Sequence, residues 1–95
     1  MRRLIEKYLI NARALIQAIG QAYAGDEIET IMRSAHTLKS SSASLGVTKV
    51  AALAKTIEAA ARQGDAEQAL AEAASLEEAF NAAELALKQL LEMSP

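Results

Sequence analysis

The chain has 95 residues, 52% of them hydrophobic and 23% charged, with a formal net charge of −2; this is the composition of one globular domain and excludes a disordered charged tail. There is no cysteine and a single histidine, His36, which excludes disulfides, thiolate nucleophiles, cysteine-based zinc sites and multi-histidine metal centres. Lysine and arginine are scattered and form no stripe or arm, so nucleic acid is not an expected partner.

Roughly a quarter of the residues are alanine and only 3% are aromatic, a balance that favours helices over a β-sandwich. Leu4, Ile5, Tyr8, Leu9, Ala12, Leu15, Ile16, Ile19 and Tyr23 recur at three- and four-residue steps and predict a first helix over about 3–24. Gly25 is suited to end it, and Asp26 to cap a second helix over about 27–45, with Glu29 placed to complete a capping box. The second stripe is Ile28, Ile31, Met32, Ala35, Leu38, Ser42 and Leu45, and it stops at Gly46. Thr48 is the expected N-cap of a third helix, about 49–63, with Val50, Leu53, Ala54, Ile57 and Ala61 inward and Gly64 beyond its end. Asp65, with Gln68 three residues on, is the expected cap of a fourth helix, about 66–92, whose stripe is Ala69, Leu70, Ala73, Leu76, Phe80, Ala83, Leu87 and Leu90. Connections of two or three residues force neighbouring helices to run antiparallel. The predicted fold is therefore all-α, a single up-down-up-down four-helix bundle domain spanning 1–95.

No run approaches the roughly 18 apolar residues of a membrane span, and Glu6 and Lys7 interrupt the apolar stretch that follows Arg2 and Arg3, so no membrane contact and no signal peptide are read. A purely carboxylate site would bind hard cations weakly, and no metal or cofactor site is expected in the chain.

Helical spacing puts His36 about 120° from the centre of the second stripe, at its edge and within reach of solvent. Arg33, Ser40 and Ala43 share its flank, and Lys39 lies between that flank and the stripe. Ser40 and Ala43 are small and leave the imidazole open to a partner surface. A histidine near the ordinary value of about 6.5 is largely neutral at physiological pH and carries one free lone pair, so it can act as a nucleophile. Positive charge from Lys39 and Arg33 favours the neutral ring and would stabilise negative charge on an attached phosphoryl group. The chain has no glycine-rich phosphate loop and no magnesium-binding carboxylate cluster, so it is not expected to bind ATP or to phosphorylate itself.

The segment Ala35-His36-Thr37-Leu38-Lys39-Ser40-Ser41-Ser42-Ala43-Ser44-Leu45-Gly46 resembles the signature of histidine-containing phosphotransfer domains, usually A-H-x-L-K-G-[SA]-[SA]-x-x-[LIV]-G. The similarity extends to Gly25-Asp26 ahead of it, to Leu53 and the Ile57-Glu58 pair after it, and to Arg62-Gln63-Gly64-Asp65 before the last helix. The resemblance implies a bundle whose histidine accepts a phosphoryl group from one receiver-domain aspartate and passes it to another. By the family pattern His36 is the phosphorylated residue and Lys39 supports the phosphoryl group. Ser40 stands where glycine is usual, a departure that bears on partner choice. By the same resemblance, the short helix or extension that often precedes the bundle is expected to be curtailed.

Ser40, Ser41, Ser42 and Ser44 are read as tight helix contacts, with no base to activate them as nucleophiles. Glu72, Glu77, Glu78 and Glu84 are read as the solvated face of the last helix, and Met32 as core or as part of a docking patch with Ile5 and Leu9 beside His36. The function expected is that of a cytoplasmic phosphorelay intermediate whose partners are response-regulator receiver domains and possibly a hybrid sensor kinase, with Mg²⁺ supplied by the receiver. Two alternatives stay open: the phosphoacceptor domain of an ATP-dependent chemotaxis-type kinase, and a non-catalytic helical interaction module of which Ser40 would be the mark.

Overall fold

The computed structural model describes residues 2–24 and 27–93, in four helices with no strand among the described residues. These are α1 (Arg2–Ala24), α2 (Ile28–Leu45), α3 (Thr48–Arg62) and α4 (Ala66–Met93). α2 packs against α1 and α3, and α4 packs against α3 and closes back on α1, giving an antiparallel four-helix bundle. The bundle measures 46 × 19 × 17 Å, and the 28-residue α4 at about 1.5 Å per residue accounts for its long dimension. Among the described residues no helix is long and apolar enough to cross a membrane.

The core is built from the inward stripe of each helix. Its largest fully buried side chains are Phe80, Ile19, Ile31, Leu38, Ile57, Leu76 and Val50, and Ala35 and Ala54 are buried between them. Three positions assigned to stripes, Leu4, Leu70 and Leu90, are instead exposed. Each has a neighbour that takes the inward place, namely Ile5, Ala69 and Leu91, because adjacent helical residues lie about 100° apart and in these pairs the neighbour is the one nearer the middle of the buried face.

The turns follow from backbone chemistry at two glycines. Gly46 takes a φ of 82°, and the Val47 amide donates to the Ser42 carbonyl at 2.8 Å, the six-residue closure of a Schellman motif. Gly64, at φ 79°, repeats the device after α3, with the Asp65 amide donating to Ala60 at 2.8 Å. Asp65 then caps α4 through Oδ1, which accepts from the Gln68 amide at 3.0 Å.

Two other caps differ from expectation. Val47, and not Thr48, is the residue flanking α3, because the Schellman turn occupies Gly46 and Val47 and leaves Thr48 as the first helical residue. Val47 makes no side-chain cap and packs against the core instead. α2 is flanked by Glu27, also without a side-chain cap, and Glu29 forms an ion pair with Arg33. Gly25 and Asp26 lie outside the described residues, as does the side chain of Tyr23.

Candidate functional site

The amphipathic spacing of α2 leaves His36 at the edge of its buried face, with Ala35 and Leu38 fully buried on either side in sequence. The imidazole side chain is 59% exposed. One helix away, α3 turns Ile57 into the core and puts the next residue, Glu58, at the seam between α2 and α3, where its side chain is only 6% exposed. Burying a carboxylate costs several kcal/mol unless it is paired and hydrogen-bonded. Glu58 has three partners. Its Oε1 accepts from the Lys39 ammonium at 2.8 Å, and its Oε2 faces both His36 Nδ1 at 2.8 Å and an Arg62 guanidinium N–H at 3.0 Å.

The hydrogen bond from Lys39 holds the Glu58 carboxyl below the ordinary glutamate range; burial acts in the opposite direction, and the His36 contact adds to the lowering. Glu58 is thus a carboxylate at neutral pH and can only accept hydrogen bonds. The proton in the His36 contact therefore sits on Nδ1, and in a neutral ring the lone pair is on Nε2, the nitrogen the carboxylate does not engage. Seen chemically, the site is a largely exposed ring with one nitrogen tied to a buried anion and the other not engaged by that carboxylate.

Other residues expected around the ring divide into three groups. Lys39 is beside it, but its ammonium is engaged by Glu58. Arg33 is turned along the exposed face of α2 into an ion pair with Glu29, so the charge expected from it at the ring is partly cancelled. Ser40 and Ala43 are both exposed and do not roof the imidazole.

The docking patch of Ile5, Leu9 and Met32 needs correction. Ile5 and Leu9 are buried in the core, because α1 is closed over by α4, and Met32 is half-buried against the same core. Of the four serines read as helix contacts, Ser42 is buried with its hydroxyl 2.7 Å from the Tyr8 hydroxyl and Ser41 donates to the Leu38 carbonyl at 3.3 Å, whereas Ser40 and Ser44 are exposed. Of the four glutamates read as the solvated face of α4, Glu77 and Glu78 are exposed, whereas Glu72 and Glu84 are partly buried, and Glu84 crosses to Arg13 on α1 at 2.8 Å. Among the described residues there is no group of three His, Cys, Asp or Glu side chains able to hold a metal ion.

Sequence reasoning did not assign Glu58 a role. The available signal was a glutamate bordering the apolar stripe of Ala54, Ile57 and Ala61, four residues before an arginine of opposite charge.

A bundle that holds one imidazole outward on the second helix, tied from the third, defines a histidine-presenting domain. The family model for the Hpt domain matches residues 3–93, and the chain belongs to that family. Membership carries histidine phosphotransfer in phosphorelays and interaction with receiver domains. No curated protein and no solved structure matches the chain.

Proposed function

We propose that the protein is a phosphorelay intermediate that takes a phosphoryl group on His36 from the aspartyl phosphate of one receiver domain and gives it to the aspartate of another, in the cytoplasm. The observation that supports this most directly is the division of labour on the imidazole: Nδ1 is tied to an ionised, buried Glu58, and the other nitrogen belongs to a largely exposed ring. In the forward step the Nε2 lone pair attacks phosphorus, an N–P bond forms, and the P–O bond to the donor aspartate breaks, releasing its carboxylate. The ring gains positive charge as that bond forms, and Glu58, hydrogen-bonded to the Nδ1 proton, stabilises it without having to take the proton. In the second step an acceptor carboxylate attacks the same phosphorus and Nε2 recovers its lone pair.

Lys39 carries three donors and spends one on Glu58, so its ammonium can also meet the incoming phosphoryl oxygens. Magnesium and the remaining charge stabilisation are the receiver's contribution. Exposed Ser40 and Ala43 frame the approach.

The test is labelling by a receiver carrying radioactive aspartyl phosphate. His36→Gln is expected to abolish labelling with helical circular dichroism intact, and label retained in that variant removes His36 from the reaction. Lys39→Ala is expected to slow transfer more than it lowers thermal stability. Offering a histidine kinase with ATP in a parallel arm separates this reading from that of a kinase phosphoacceptor.

A further inference from the structure

Orienting an imidazole with a carboxylate carries a chemical cost. An anion hydrogen-bonded to Nδ1 favours the doubly protonated ring, and a ring protonated at Nε2 has no lone pair with which to attack phosphorus. A cation on the same carboxylate weakens that pull while leaving the hydrogen bond to Nδ1 in place.

The surroundings of the carboxylate supply two candidates. Lys39 bonds Oε1, the oxygen turned away from the ring, and it is also the group placed to turn toward a phosphoryl group. Arg62 bonds Oε2, the oxygen that His36 uses, from one turn further along α3. Its guanidinium uses one of its five N–H donors in this contact.

We infer that Arg62 is a charge-balancing positioning residue: by sharing Glu58 Oε2 with His36, it lets the carboxylate orient the ring without drawing a proton onto Nε2. The inference rests on His36 being the phosphoryl acceptor for its consequence in transfer, but not for its effect on the ring. Lys39 does not fill this place, because it bonds Oε1 and not the oxygen that His36 uses.

The other charged groups near His36 do not duplicate Arg62. On α2 itself Arg33 is paired with Glu29. On α3, Lys55 is exposed one turn before Glu58, on the same side of the helix, and makes no contact with the carboxylate. α1 lies along the other flank of α2, where Lys7 and Tyr8 line a groove with Ser41 and Ser44. The Arg62 side chain is 68% exposed, so its effect is that of one charge acting largely through water.

Because His36 is the only histidine, its ring resonances can be followed through a pH titration without assignment ambiguity. Arg62→Gln, which keeps a hydrogen-bond donor and removes the charge, is expected to move the His36 titration midpoint upward by about half a pH unit. Arg62→Lys is expected to return it to the parent value. In transfer from a phosphorylated receiver, Arg62→Gln is expected to be slower than the parent under acidic conditions and to converge on it as the pH rises.

A titration of Arg62→Gln that superimposes on the parent overturns the inference. So does a rate lowered by the same factor at every pH, which is what a purely structural i,i+4 pair would give. If the midpoint moves as expected while even the parent accepts no phosphoryl group, the role of Arg62 stands and the phosphotransfer reading falls.

Discussion

Two glutamates each gather basic side chains across a pair of helices, and their different surroundings separate the cluster at the histidine from a clamp. Glu58 joins α3 to α2 through Lys39 and His36, with Arg62 on its own helix, and its side chain is almost fully buried. Glu84 joins α4 to α1 through Arg13 at 2.8 Å and has Lys88 at 3.7 Å on its own helix, but it is 22% exposed and has only cations for partners. Arg13 also bonds Asn81 and lies 5.0 Å from the centre of the Phe80 ring, so that cluster fastens a guanidinium down onto the core. What distinguishes the Glu58 side is a buried anion with an imidazole as one of its partners: burial makes the carboxylate dependent on its donors, and the imidazole gives that dependence a chemical outlet.

The comparison can be broken or sharpened by substitution. The largest effect is expected beneath the Arg13 clamp, where Phe80→Ala removes a fully buried ring and should cost about 3–5 kcal/mol in chemical denaturation. A much smaller loss would mean that the α1–α4 seam is held by its ion pair and not by its core.

Next comes Glu58→Gln, which should cost about 1–2 kcal/mol through lost charge-assisted hydrogen bonds and slow receiver transfer at least about tenfold by releasing the ring tautomer. Its pH dependence has a definite sign. Glu58 is held below its ordinary value of 4.5 in the folded state, so its stabilising contribution is complete above that value and disappears as the pH falls through the lowered one. The parent should therefore lose more stability than Glu58→Gln on acidification below about pH 4.5; equal losses would show that the carboxylate contributes nothing to the fold.

An uncharged link, Tyr8 to Ser42 between α1 and α2, extends the comparison. Tyr8→Phe should cost about 1 kcal/mol. Burial raises the Tyr8 hydroxyl above its ordinary value of 10.0, with the Ser42 hydrogen bond acting the other way, so the neutral phenol stabilises the fold. That stabilisation is fully present below pH 10.0 and is lost as the pH rises toward the raised value, an alkaline loss that Tyr8→Phe should lack in a thermal melt.

The smallest effect belongs to Glu84→Gln, expected to cost less than about 1 kcal/mol and to leave transfer unchanged. A loss of transfer in that variant would remove the division between the two glutamates.

The sequence by itself determined the four helices, the turns at Gly46 and Gly64, the Asp65 cap and the place of His36 at the margin of its helix. These are local properties, set by the 3.6-residue period, by the left-handed backbone that glycine adopts without strain, and by a side chain reaching an amide three residues on. Only the tertiary structure decided that Glu58 meets His36, 22 residues earlier, and that Ile5 and Leu9 belong to the core and not to a docking patch. Both depend on how each helix is rotated about its own axis once its neighbours are in place. That rotation is chosen by the packing of all four stripes together, so the spacing within a single stripe cannot reveal which edge residue will face which partner.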